Sequence, residues 1–106
     1  MIVKRIAFKM KLYPGCEIQY RSRHEKIWPE MKSLLKNAGI SDYAIFYDEE
    51  TCMLFGTLKV NNMESFEALS SNPIMRTWWL YMSDIMETNT DKSPVSKALT
   101  EVFYLS

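Results

Sequence analysis

His24 is the single histidine of the chain, and it stands four residues after Tyr20 and four before Trp28 in the run Tyr20-Arg21-Ser22-Arg23-His24-Glu25-Lys26-Ile27-Trp28-Pro29-Glu30. On a helix those spacings bring the three side chains to one face. Imidazole both takes and gives a proton near neutral pH, its unperturbed pKa being about 6.5. A lone imidazole between aromatic rings therefore suits acid/base chemistry on a small polar ligand with apolar ring faces. Position alone leaves two readings open: a half-buried histidine satisfied by hydrogen bonds, or an acid or base in a cleft. Tyr20, one turn earlier, offers a hydroxyl to donate to a ligand or to carry the partner proton. Arg21 and Arg23 read as solvated, with either able to reach a ligand oxygen.

The adjacent pair Trp78-Trp79 is the second feature. Neighbouring helical residues point about 100° apart, because there are about 3.6 residues per turn. Ile74, Trp78, Tyr81, Met82 and Ile85 form the best core stripe, which leaves Trp79 at its edge with Met75 and Met86. Both rings read as core or dimer interface, or as a platform for a sugar, whose pyranose C–H faces an aromatic ring can bury while hydroxyls find polar partners. The eight methionines include Met10, Met31, Met75, Met82 and Met86 at inner positions, where they read as core filler. Tyr43 reads as a strand-start residue, and Asp84 and Asp91 as solvated or turn-capping carboxylates.

What is missing narrows the chemistry. Three glycines do not make a dinucleotide or phosphate loop. One histidine and two distant thiols, Cys16 and Cys52, match no metal motif. Any catalysis therefore reads as proton transfer with no metal and no cofactor. Thirteen basic and thirteen acidic residues cancel, so nothing argues for nucleic acid. No run approaches the roughly 18 apolar residues of a membrane span. Lys4, Arg5, Lys9 and Lys11 interrupt the N-terminal apolar stretch, which reads as no secretory signal, reduced thiols and a cytoplasmic protein.

The elements that must position these residues follow from periodicity. The 106 residues read as one domain, 1–106, able to bury a core with little to spare. Residues 2–12 alternate as a strand, with Ile6, Phe8, Met10 and Leu12 on one face. Residues 16–38 repeat at helical spacing, with Gly39 as the stop. Pro29 divides that run into two pieces with a bend between about Arg23 and Trp28, at His24 itself. Residues 43–47 and 52–60 are strands joined by the hairpin loop Asp48-Glu49-Glu50-Thr51. Asn61 or Asn62 caps a short helix through Leu69, and Asn72-Pro73 opens a third helical segment to about Met86. Residues 88–94 are turn-like, and 102–105 close the chain as a strand. The order predicts an α+β fold, a ferredoxin-like antiparallel sheet with helices on one face. Its uncovered apolar face predicts a symmetric dimer of the α/β-barrel type.

Tyr20…Arg23-His24…Ile27-Trp28-Pro29-Glu30, Tyr43-Ala44-Ile45, Trp78-Trp79…Tyr81-Met82…Ile85-Met86, Ser93-Pro94-Val95 and Glu101-Val102-Phe103-Tyr104 together resemble the L-rhamnose mutarotase family nearly end to end. The resemblance implies a cytoplasmic homodimeric isomerase of ferredoxin-like fold that interconverts the α and β anomers of L-rhamnose. By the same resemblance His24 matches the family's proton donor, and Tyr20, Tyr43, Trp78 and Trp79 match its substrate-contacting positions. The family tends to carry Asp or Asn where Glu25 stands, and Arg where Thr77 stands after Arg76. Small dimeric cofactor-free monooxygenases and non-catalytic ligand-binding modules share the fold and stand as the alternatives, because fold alone does not choose.

Overall fold

The computed structural model describes residues 2–106. Strand β1 (Lys4–Lys11) leads into helices α1 (Glu17–Glu25) and α2 (Pro29–Asn37), then strands β2 (Ile40–Asp48) and β3 (Met53–Val60). A short helix α3 (Met63–Ala68), a single 3₁₀ turn (Leu69–Ser71) and helix α4 (Pro73–Met82) precede strand β4 (Ser96–Leu99). The sheet is antiparallel throughout, in the order β2-β3-β1-β4. This is a ferredoxin-like succession in which each crossover carries more than one helix.

The prolines and asparagines of the sequence do what their chemistry requires. Pro29 ends no helix from within; it opens α2 at its first position, where the missing N–H costs nothing. Trp28 before it is extended, at φ −59° and ψ 136°, as the residue preceding a proline must be. The bend therefore falls after His24, and α1 stays regular through Glu25. Asn62 caps α3 by accepting from the Ser65 N–H at 3.1 Å, and Asn72 caps α4 by accepting from the Ile74 N–H at 2.9 Å, with Pro73 next. Gly39 turns the chain out of α2 at φ +86°, and a Cβ there would lie 1.9 Å from Asn61 Oδ1.

The core lies between the sheet and the helices. Met10 and Leu12 of the β1 segment and Leu54, Leu58 and Val60 of β3 are buried on the helix-facing side. They meet Met31 of α2, Met75, Trp78 and Met82 of α4, and Ile85 and Met86 beyond it. All five methionines placed inside from the sequence are buried. Gly56 pairs with Phe8 across β1 and β3, and a Cβ at Gly56 would sit 2.5 Å from Phe8 Cζ, so this glycine makes room for the ring.

Helix α4 and the last strand also differ from the sequence reading, as does the side chain of Arg23. Helix α4 ends at Met82, and its buried stripe is Met75, Trp78 and Met82, with Ile74 only half-buried and Tyr81 exposed. The helix is apolar on nearly every side, so its periodicity does not choose a face. The last strand is Ser96–Leu99, paired with Ala7–Met10, whereas residues 102–105 form an exposed tail. Strand pairing is made by backbone groups, and the polar segment Ser96-Lys97 satisfies it as well as an apolar one. Arg23 is the third case and belongs to the groove described next.

Candidate functional site

His24 occupies the last turn of α1, where its Nδ1 lies 2.9 Å from the Tyr20 carbonyl oxygen. A carbonyl only accepts, so Nδ1 carries the hydrogen and the neutral ring keeps its lone pair on Nε2. The imidazole lies over the Tyr20 ring, with centroids 4.3 Å apart and planes tilted by 30°. It meets Trp78 edge-on at 5.4 Å. Trp78 in turn meets Trp28 edge-on at 5.0 Å, and Tyr81 closes the cluster at 5.6 Å from Trp28 and 5.7 Å from Trp78. Trp28 joins this cluster from the α1–α2 connection, since α1 ends three residues before it. Tyr81 belongs to the cluster although sequence reasoning assigned it only to the core.

Tyr43 reaches the same side through a β-bulge. Ile40 and Tyr43 are three residues apart, an odd spacing that puts them on opposite faces of a regular strand. The register shifts between Ser41 and Ala44, and Asp42 takes φ +49° there. This extra residue returns Tyr43 to the helix-facing side, where its ring meets Phe8 edge-on at 6.3 Å. Trp79 is half-buried beside the chain of aromatic rings, with the Arg76 guanidinium 5.4 Å from its ring centre.

Tyr20, His24, Tyr43, Trp78 and Trp79 thus line one groove between sheet and helices, with a volume of about 1570 Å³. Ligand clefts usually hold about 300–1,000 Å³, so this is an open trough with room well beyond one monosaccharide. Burial lowers the His24 pKa below its ordinary value, and the Tyr20 carbonyl bond only partly opposes this. The imidazole is therefore neutral at pH 7. Burial raises the Tyr20 hydroxyl above the usual phenol range, and the Tyr43 phenol beside it adds to the effect. Crowding pushes Tyr43 up to about 12, although 40% of the residue surface is open. Both phenols stay protonated, as donors. Among the described residues no three His, Cys, Asp or Glu side chains converge as a metal site, and Cys16 and Cys52 are free thiols. Among the described residues no helix is long and apolar enough to cross a membrane.

Arg23 is not solvated as its place in the sequence suggested. Its guanidinium donates to both Asp84 carboxylate oxygens, at 2.8 and 3.1 Å, and to the Tyr81 carbonyl at 2.7 Å. Asp91, by contrast, caps a turn as expected, accepting from the Ser93 N–H at 3.0 Å.

The class this defines is a small ferredoxin-like α+β domain whose groove sets one neutral imidazole among protonated phenols and aromatic faces. Comparison with known proteins narrows the class. Residues 5–105 match the family described as L-rhamnose mutarotase. An L-rhamnose mutarotase of Brucella anthropi is 51% identical over 105 residues, covering 99% of both chains. One of Flavobacterium johnsoniae is 54% identical over 101 residues, covering 95% of this chain and 94% of the relative. The crystal structure of an L-rhamnose mutarotase from Formosa agariphila superposes with a TM-score of 0.91 at 50% identity, over 97% of this chain and 99% of that one. The chain belongs to the L-rhamnose mutarotase family.

Proposed function

We propose that this protein interconverts the α and β anomers of L-rhamnose, or of a closely related deoxy sugar, with His24 as the acid/base group. The observation that carries the chemistry is the bond from His24 Nδ1 to the Tyr20 carbonyl, which leaves Nε2 as the basic nitrogen of a neutral imidazole. Anomer exchange opens the hemiacetal, turns the C1 carbonyl and recloses the ring on the other face. On opening, Nε2 takes the proton from the anomeric hydroxyl as the C1–O5 bond breaks. The electron pair of that bond goes to O5, which takes a proton from the Tyr43 or Tyr20 hydroxyl. On closure O5 returns its proton, and the imidazolium donates to the new anomeric oxygen. Protons and electrons balance within the sugar and these side chains, and a group that both accepts and donates near neutral pH suits both directions. Trp78 and Trp79 offer apolar faces to the pyranose ring, and Tyr20 and Tyr43 offer hydroxyls to its polar edge.

We further propose that two copies pair through the outer face of the sheet, in a cytoplasmic homodimer of the α/β-barrel type. Across that face Lys97, Lys9, Phe55 and Phe46 stand in one cross-strand row, and Leu99, Ala7, Thr57 and Ala44 in the next. Phe46 is 65% exposed and Leu99 38%. Apolar residues on the β2–β3 side of a bare sheet, flanked by lysines on β1 and β4, fit a self-complementary contact. Light scattering at micromolar concentration tests this, and a monomer refutes it.

The test of function is saturation-transfer NMR on both anomer signals of L-rhamnose, with and without protein. Accelerated exchange supports the isomerase. Binding without acceleration describes a ligand module, and oxygen consumption with a flat aromatic substrate an oxygenase of the same fold.

A further inference from the structure

Two helices carry the two halves of the proposed chemistry. α1 brings Tyr20 and His24, and α4 brings Trp78 and Trp79. The ring contact between them is His24 edge-on to Trp78, with centroids 5.4 Å apart. Arg23, the neighbour of His24, bridges that junction. Its Nη1 donates to the Tyr81 carbonyl at 2.7 Å and to Asp84 Oδ1 at 2.8 Å, and its Nη2 donates to Asp84 Oδ2 at 3.1 Å. Its Cζ also lies 4.4 Å from the centre of the Tyr81 ring. The Tyr81 carbonyl is one of the last in α4, which no N–H within the helix satisfies, so the guanidinium caps the helix that carries the tryptophan pair. Charge complements the arrangement, because the C-terminal ends of both α1 and α4 favour a cation. The Arg23 side chain is only 15% exposed, whereas Asp84 is 65% exposed. The arginine is the half-buried strut and the aspartate the outer anchor that fixes its plane.

We propose that Arg23, oriented by Asp84, is the positioning residue for His24: its forked contacts lock the end of α1 against the end of α4 and set the distance from imidazole to the tryptophan-bound sugar. The proposal rests on the reading of His24 as the acid/base group. A planar fork with a bidentate carboxylate partner and a carbonyl contact fixes direction as well as distance, which a lysine does not. A misplacement of about 1 Å at a reacting group costs up to about a hundredfold in rate. The tryptophan platform stays on α4 when the clamp is lost, so sugar binding is largely kept while the base drifts.

The experiment measures anomer exchange against L-rhamnose concentration for wild type, Arg23→Gln, Arg23→Lys, Asp84→Asn and His24→Ala, each well below its own melting temperature. Arg23→Gln should lose about tenfold to a hundredfold in kcat, with KM within about threefold. Asp84→Asn should lose less in the same direction, and Arg23→Lys should recover only part of the rate. A purely structural arginine predicts a lower melting temperature with unchanged kcat in the folded fraction, and that result overturns the proposal. Should Arg23→Gln not fold, Asp84→Asn at a mostly exposed position carries the decision: a wild-type kcat there overturns the clamp. Failure of the underlying reading is separately visible, since His24→Ala would then exchange anomers at the wild-type rate.

Discussion

The two faces of the sheet are built from the same strands by the same alternation, yet they end in opposite states. On the helix-facing side Met10, Leu54, Leu58 and Val60 are buried, and Leu54 is 1% exposed. One residue along each strand, Ala7, Phe46, Phe55 and Leu99 point away from the helices, and Phe46 stays 65% exposed. A chain of 106 residues has enough helix to cover one face only. The chemistry-bearing side chains gather on the covered face, where burial lowers the basicity of His24 and keeps two phenols protonated. Burial is thus both what makes one face the core and what tunes its titratable groups. The bare face carries lysines instead, among them Lys9 and Lys97.

The sharpest way to separate chemistry from scaffold on the covered face is His24→Ala. Exchange should fall by about 10²- to 10⁴-fold in a protein that still folds and binds sugar, as judged by saturation-transfer NMR and circular dichroism. His24→Asn should behave alike, because an amide makes hydrogen bonds without transferring protons, and Tyr20→Phe should lie between these and wild type. The acid limb of the wild-type pH–rate profile should have its midpoint below 6.5, since the basic form is the active one and burial lowers its pKa.

Next in size is the tryptophan pair. Trp78 is buried and touches His24, Trp28 and Tyr81, so Trp78→Ala should cost about 3–5 kcal/mol in denaturant melts. Trp79 is half-buried at the groove, so Trp79→Ala should instead weaken sugar binding by about 1–3 kcal/mol, by analogy with bases stacked on aromatic rings. Equal melting losses with unchanged sugar affinity would make both rings structural. A third comparison sets the faces directly against each other. Leu54→Ala should destabilise the fold by about 2–5 kcal/mol. Phe46→Asp should change the stability of the single chain by no more than about 0.5 kcal/mol. The same charge should abolish pairing of two copies by light scattering, and dimers persisting in Phe46→Asp would move the contact elsewhere.

The smallest effect is the response to acid. His24 titrates lower in the folded chain than its ordinary value, so folding favours the neutral ring, and stability is lost as pH falls below about 6.5. Asp84 is held below the usual carboxylate range by the hydrogen bonds from Arg23, and Asp91 is held at about 2 by Ser93. Their contribution is present above about 3.9 and fades as pH falls from there. Thermal melts between pH 7 and pH 3 should show two steps, of which His24→Asn lacks the upper one. A single step in both proteins would contradict the lowered histidine pKa.

Much of this molecule is legible in its residues because the controlling physics is local. Pro29 and the Asn72-Pro73 pair mark helix starts through a missing N–H and a side-chain cap. Alternation in residues 2–12 places Met10 and Leu12 on the core face, and the spacing of Tyr20 and His24 places their rings in contact. What the sequence left undecided depends on groups far apart in the chain. Tyr43 reaches the groove only because a bulge at Asp42 reverses its side, and β3 sets that bulge by its register. Arg23 finds Asp84 and the Tyr81 carbonyl some sixty residues away, a pairing that no local pattern encodes. The last strand forms at Ser96–Leu99 because the free edge of β1 pairs with whichever backbone the chain lays beside it. Local periodicity and capping chemistry determined which segments are helices and strands. Only the packed structure decided which face is covered and which arginine is clamped, because burial and long-range hydrogen bonding exist only once distant segments meet.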